Sequence, residues 1–381
     1  MQPLATPFAV QELVDHCIDF LHDSRAALTA CALVSQSWVY AAQRHLFAEV
    51  HLPSQATGIA QTERSWARFK DIIHRSPHLI RAIHRLHINA TYFSYTSLSD
   101  ICGLPFTGLT CVVFKMKTLI TDPRATALQQ LFSVPSLRRV QLNGIYVTQA
   151  AWLTIWEQFS PTIKHLELSC TGHSSHTFDP LPVGRAPIVL ISLRITRLPV
   201  TGWVKNSFHG LKVLSLGPEA KVAWSEFAPV SHTLQALDIV ITTYSKAASS
   251  TFDLASFPKL SLLRIAMPAY GDAALRTLSS LTNIVSPNHT RIIIHSIRSW
   301  AYYHVDSHFS GLPVPTVKLE MSVVEYERTK SSFPRLNSKN MLQRTDPVSN
   351  WFESFTDEFP TTTTPLIHGL SLKEISILTE E

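Results

Sequence analysis

Charge is scarce in this chain: Asp, Glu, Lys and Arg make up 16% of its 381 residues, against 45% hydrophobic residues. That is less charge than an ordinary soluble domain carries, which excludes a solvated, disordered chain and implies a well-buried one. The net charge of +5 is spread without any concentrated basic run, so a dedicated nucleic-acid binder is excluded. No uninterrupted apolar run approaches the length that crosses a bilayer. The N-terminal stretch lacks a basic segment and carries Glu12 and Asp15 inside its apolar part, unlike a signal peptide. These absences imply a cytoplasmic or nuclear protein with neither membrane nor nucleic acid among its partners.

Paired cysteines are missing as well. Cys17, Cys31, Cys102, Cys111 and Cys170 are odd in number and form no C-x-x-C, which suits reduced thiols better than a disulfide framework or a zinc site. The nucleotide, nucleophile-elbow and zincin motifs G-x-G-x-x-G, G-x-x-x-x-G-K-[ST], G-x-S-x-G and H-E-x-x-H do not occur. Of 18 histidines, His74/His78, His84/His87, His173/His176 and His304/His308 have ligand-like spacing. None of these pairs is read as a completed tetrahedral set; surface or partly buried histidines are the simpler reading. The sequence therefore predicts no enzyme, no metal and no cofactor; a hydrolase or metal enzyme hidden in irregular repeats is a distant competitor.

What the chain does have begins at Gln11. Leu13, Val14, Cys17, Ile18 and Leu21, then Leu28, Cys31, Leu33 and Val34, then Trp38, Ala41, Ala42 and Leu46 fall at helical spacing. The spacing breaks at His22-Asp23-Ser24 and at Val34-Ser35-Gln36-Ser37, where Asp23 or Ser24 and Ser35 or Ser37 can cap new helices. Three short amphipathic helices are thus expected, unable to bury their stripes alone. A further amphipathic helix over 67–76 carries Phe69, Ile72 and Ile73 and stops at Pro77.

A shorter pattern, L-x-x-L-x-L, then recurs. Its first positions are Ile83, Leu109, Leu137, Ile163, Leu190, Leu211, Leu234 and Leu260, with steps of 26, 28, 26, 27, 21, 23 and 26 residues. In such a unit the last two apolar residues of a short strand point inward and their neighbours outward, while the first packs at the bend entering the strand. Each unit buries an edge on the next, so only a stack is stable. Intervening helical segments at 150–159 and 273–281 make the sheet parallel and curved. Weaker units follow at His289, Ile292, Ile294; at Val314, Val317, Leu319; and at Ile367, Leu370, Leu372. Residues 328–350, rich in Ser, Arg, Lys and Asn, read as an exposed loop, followed by an amphipathic helix over 347–359.

The period resembles the leucine-rich repeat, although the turn position that usually holds Asn or Cys in that family holds Ile145, Thr171, Leu198, Glu219, Thr242 and Pro268 here. Irregular repeats are therefore expected. The helical stretch, with E-L-V-D-x-x-I-D-F-L, L-x-x-C-x-L-V-x-x-S-W and H-L-F, resembles the F-box of the large fungal families of F-box proteins with C-terminal repeats. It departs from that pattern at Ala9 and Val10, where Leu-Pro is usual, and at Ser35 and Gln36, where Val34 is usually followed by Cys-Arg. The resemblance implies an α+β, α/β-repeat architecture: an F-box-like module over 1–52, a linker helix over 53–78, a leucine-rich-repeat-like solenoid over 79–325, and a loop, helix and cap over 326–381.

Functionally it implies a non-enzymatic substrate receptor that binds the Skp adaptor of a cullin-scaffolded ubiquitin ligase and captures a target protein. Leu13, Ile18, Leu21, Leu28, Val34, Trp38 and Leu46 would make the adaptor contact or its supporting core. The outward strand positions would form the target face, among them Arg85, His87, Lys115, Arg139, Gln141, His165, Glu167, Arg194, Asp238 and Arg264. With Arg291, Lys318 and Glu320 included, Arg and Lys outnumber Asp and Glu there by seven to three, which suits an acidic or phosphorylated target. The alternative is a repeat-based interaction scaffold with no ligase association.

Overall fold

A computed structural model of the chain describes residues 7–52, 58–116, 119–147, 149–170, 189–196, 199–200, 210–217, 221–222, 224–240, 254–266, 291–295, 301–312 and 317–345. Two compact units meet in sequence between Ile163 and Lys164. The helices expected over 273–281 and 347–359, and the repeat at Ile367, Leu370 and Leu372, lie outside the described residues.

The first unit opens with three helices, α1 (Pro7–Asp19), α2 (Arg25–Ala32) and α3 (Gln36–Leu46). They begin where the sequence breaks predict. Ser24 holds extended backbone and its Oγ accepts from Ala27 N at 3.4 Å, capping α2. Ser35 is the N-cap of α3, but its hydroxyl lies 2.8 Å from Ser37 Oγ and makes no cap bond. Ile18, Leu28, Cys31, Ala41, Ala42, Leu46 and Phe47 form the core between the helices. At the ends of α1 and α3, Asp19 Oδ1 meets Arg44 Nη2 at 2.5 Å and His45 Nε2 at 2.7 Å. The hydrogen bond from His45, together with Arg44, holds the Asp19 carboxyl below its ordinary range despite some desolvation.

Residues 49–52, grouped with the helices from sequence, instead form strand β1 (Glu49–Leu52). The helix α4 (Ile59–Arg75) starts earlier than the expected 67–76, because Thr62 and Trp66 extend the buried stripe of Phe69, Ile72 and Ile73. One turn, α5 (Leu79–Ala82), then leads into β2 (Arg85–Asn89). There follow α6 (Tyr95–Cys102), β3 (Cys111–Lys115), β4 (Leu119–Ile120), α7 (Asp122–Phe132), β5 (Arg139–Val147) and α8 (Gln149–Glu157). The sheet order is β1-β2-β3-β5, all parallel, with β4 pairing the end of β5. Its register aligns Val50, Leu86, Val112 and Val140, and two residues on Leu52, Ile88, Phe114 and Leu142. All eight are buried, as the two inward strand positions of each repeat require.

The second unit has β6 (His165–Cys170), β7 (Ser192–Thr196), β8 (Pro199–Val200), β9 (Val213–Leu216), β10 (Lys221–Val222), β11 (Ala236–Val240), β12 (Leu262–Ala266), β13 (Arg291–His295), β14 (Val317–Glu320) and β15 (Leu342–Thr345). Its sheet order is β6-β7-β9-β11-β12-β13-β14-β15, again parallel, while β8 and β10 pair separately. Leu166, Leu193, Leu214, Leu237, Leu263, Ile292, Val317 and Leu342 share one ladder position. The five phased strands of this unit, β6, β7, β9, β11 and β12, and the two weaker ones at 291–295 and 317–320 thus take the register that the repeat spacing predicts. In the place of regular returning helices stand 3-10 turns at Trp224–Val230 and Leu254–Ser256, then α9 (Tyr302–Ser310) before β14.

The exposed loop expected over 328–350 is corrected. After α10 (Val323–Thr329) come a 3-10 turn, α11 (Pro334–Ser338) and β15, which adds another strand to the sheet. Phe333, Leu336, Met341 and Leu342 are buried among polar neighbours, so a few anchors decide the fold where average composition reads as a loop. The buried Asp306 accepts from Arg335 N at 3.1 Å and Leu336 N at 2.8 Å, satisfying the first amides of α11.

Successive units are also joined by hydrogen bonds at the strand entrance. A single carbonyl of one unit accepts two consecutive amides of the next: His84 and Arg85 on Ala48, Thr110 and Cys111 on His84, Arg138 and Arg139 on Thr110. The second unit repeats it with Ile191 and Ser192 on Lys164, Lys212 and Val213 on Ile191, Gln235 and Ala236 on Lys212, and Ser261 and Leu262 on Gln235. Hydroxyls preceding the first repeat Leu add a second rung: Ser136 Oγ donates to Leu109 O, Thr162 Oγ1 to Leu137 O and Thr233 Oγ1 to Leu211 O, each at 2.8 Å.

Candidate interaction surfaces

The N-terminal helices divide their apolar residues between two roles. Ile18, Leu28 and Leu46 are buried, Leu21 and Trp38 are half-buried, and Leu13 and Val34 are each 65% exposed. Leu13, Cys17 and Phe20 recur at helical spacing along α1 and all three are exposed, Phe20 by 74%. Leu33 and Val34, in the turn between α2 and α3, and Tyr40 on α3 are exposed too. Exposed single apolar residues are ordinary; an exposed row on one helix, added to two adjoining residues at a turn, is the kind of surface that marks a protein partner. Phe20 and Tyr40 were not singled out from sequence, and Leu33 was placed in the apolar stripe but not in the contact set, since helical periodicity alone does not say which side of a stripe stays open.

On the first unit's sheet, the outward positions reach solvent. Arg85 and Lys115 are exposed, and His87, Asn89, Val113, Gln141 and Asn143 are half-buried, while Cys111 and Arg139 are buried. Arg139 lies along β5 beside Gln141, whose amide, turned with its oxygen toward the guanidinium, accepts from Nε and Nη2 at 3.1 Å.

In the second unit the outward positions Glu167 and Arg194 stay half-buried, but on β9, β11 and β12 the expectation of a solvated face fails. Val213, Ser215, Ala236, Asp238, Leu262 and Arg264 are all buried, as are His165 and Ser192, which meet through Nδ1 and Oγ at 2.8 Å. Val213, Ala236 and Leu262 pack together with Ile293. Beside them Arg264, 6% exposed, donates from Nε and Nη2 to the two carboxylate oxygens of Glu320 at 2.9 and 2.8 Å. Its Nη1 is 3.6 Å from Asp238 Oδ1, and Asp238 also accepts from Ser215 Oγ at 2.8 Å and lies 3.4 Å from His295 Nε2. Arg139, His165, Asp238 and Arg264 are therefore interior groups rather than target-contacting ones. Part of the basic excess is also answered in place: Arg194 is 3.6 Å from Glu167, and Arg85 is 3.9 Å from Glu49.

Glu49 belongs to β1 and was not among the expected face residues. It brings together a group that sequence spacing hides: Glu49 and His51 alternate onto one face of β1, and His87 stands opposite His51 on β2. Glu49 Oε1 is 3.0 Å from His51 Nε2 and 2.8 Å from His87 Nε2. The two imidazoles stack at 4.0 Å between centroids and 8° between planes. Burial opposes ionisation of Glu49, yet the two imidazoles and Arg85 outweigh it and hold its carboxyl far below the usual range. Burial lowers His87, with the positive neighbours adding to it against the pull of Glu49, so its neutral form is favoured. Among the described residues this is a set of three donors able to approach one ion. The parallel pairing of β1 with β2 supplies His87 with a carboxylate that its spacing from His84 does not show.

Among the described residues, no helix is long and apolar enough to cross a membrane. No protein-family model matches the chain, and no curated protein matches it.

Proposed function

We propose that this chain is a substrate-recognition subunit of a Skp–cullin–F-box ubiquitin ligase, in which the N-terminal helices hold the Skp adaptor and the repeat sheet holds the target. The observation that carries the reading is the split of the helical stripe into a buried set, Ile18, Leu28 and Leu46, and an open set, Leu13, Phe20, Leu33 and Val34. A receptor of this kind needs two supported surfaces and no catalytic group of its own. A target would meet the open face of the first unit, at Arg85, Lys115, Gln141 and Asn143, since the central positions of the second unit are interior.

Retention of the full chain on immobilised Skp adaptor tests this. The expected result is retention, lost when Leu13→Asp and Val34→Asp are combined; both side chains are mostly solvent-exposed, so the core is untouched. No retention of the unaltered chain, where a standard F-box is held, rejects it. The second reading, an interaction scaffold without a ligase, rests on Ser35 and Gln36, two exposed polar residues where the resemblance departs.

A further inference from the structure

We propose that Glu49, His51 and His87 form a binding site for a divalent transition-metal ion of the zinc class. The site is independent of the ligase reading.

The donors are held by backbone rather than by loops. Glu49 and His51 are two residues apart on β1, and the ladder pairs Glu49 with Arg85 and His51 with His87. The three ligand atoms lie within 4.8 Å of one another. A tetrahedral zinc ion with bonds of about 2.0–2.1 Å keeps its ligands about 3.3 Å apart, so small side-chain shifts suffice. The parallel stack of the two rings brings both Nε2 atoms to one carboxylate oxygen.

An ordinary carboxylate–imidazole pair accounts for His51 but not for His87. His87 Nε2 is shielded from solvent and left without a satisfied hydrogen bond, although Glu49 Oε1 is 2.8 Å away and already lies 3.0 Å from His51 Nε2. A solvent-shielded, unsatisfied imidazole nitrogen beside a carboxylate oxygen is what a metal ion completes. Two imidazoles and a carboxylate suit zinc, cobalt, nickel or copper, whereas calcium and magnesium take oxygen donors. Arg85 Nη1, 3.9 Å from Glu49 Oε2 and 46% exposed, balances the carboxylate charge and has room to turn outward. Three protein donors leave one position open to water or a partner's side chain. Because β1 begins two residues after the end of α3, the ion would fasten the strand leaving the helices to the strand opening the sheet.

The experiment uses the full chain, stripped with chelator and titrated with Zn²⁺ by calorimetry and with Co²⁺ by visible absorption. One tight equivalent is expected, with the intense bands of four-coordinate cobalt. Affinity should fall at least about tenfold in His87→Gln and in Glu49→Gln, the order of loss that even outer ligand partners cause, and stay unchanged in the exposed control His74→Gln. Absence of a tight equivalent, or undiminished binding in both variants, overturns the proposal. Should the variants fail to fold, X-ray absorption of the zinc-loaded native chain decides: two imidazoles with oxygen donors support the site, and sulfur or a single imidazole overturns it.

Discussion

The outward strand positions of the two units follow one repeat pattern but do not share a fate. In the first unit, Arg85, His87, Asn89, Lys115, Gln141 and Asn143 reach solvent or lie half-buried. In β9, β11 and β12 of the second, the corresponding places are interior and hold Val213, Ser215, Ala236, Asp238, Leu262 and Arg264. A repeat motif that specifies only its inward residues is therefore silent about whether the sheet has one buried face or two. The difference lies between the motif positions: Val213 to Leu216 and Ala236 to Val240 are nearly unbroken apolar runs, which is how a parallel strand buried on both faces reads.

The largest test of that contrast removes a charge from each face. Arg264→Ala should cost about 3–5 kcal/mol in denaturant unfolding, because it leaves the buried carboxylates of Asp238 and Glu320 without their guanidinium. Arg85→Ala, which breaks a longer and more exposed contact with Glu49, should cost no more than about 1 kcal/mol. Equal and small effects would mean that water reaches the second face, and the distinction between the units would collapse.

Volume gives the next test. Ala236 has no exposed surface and touches the layer of Val213, Leu262 and Ile293, so Ala236→Leu should destabilise by about 1–3 kcal/mol through overpacking. Val113→Leu, at a half-buried outward place in the first unit, should change stability by at most about 0.5 kcal/mol. Thermal or denaturant midpoints of the two variants measured together would show whether the second face is packed as tightly as its burial suggests.

These pairs also show why the fold was more legible than the surfaces. Leu86, Val112, Leu214 and Leu237 carry their period in the primary sequence, and the ladder places them as that period predicts. The helix starts at Ser24 and Ser35 were readable for the same reason, since caps are local. β1 was not, because E-V-H-L is too short to show a period and only its pairing with β2 makes it a strand. β15 was hidden by polar neighbours. Glu49 with His87, and Arg264 with Glu320, join residues 38 and 56 positions apart, and no spacing rule reports such neighbours. The exposure of Leu13 beside the burial of Ile18 is likewise a tertiary fact: both belong to one amphipathic stripe in sequence.

The smallest effect concerns what the units share. If the hydroxyl rung at the strand entrance is a general device of these repeats, it should matter equally wherever it occurs, whatever covers the outward face. Thr162 donates to Leu137 O in the first unit, and Thr233 donates to Leu211 O in the second, both at 2.8 Å. Thr→Val keeps the branched shape and removes only the hydroxyl, so each substitution should cost about 1 kcal/mol, the net worth of one hydrogen bond. Similar losses from Thr162→Val and Thr233→Val in parallel denaturant titrations would establish a common device beneath two different faces. A loss confined to Thr233→Val would tie the rung to the doubly buried strands instead, because a carbonyl near water exchanges its lost partner for solvent and one sealed from water does not.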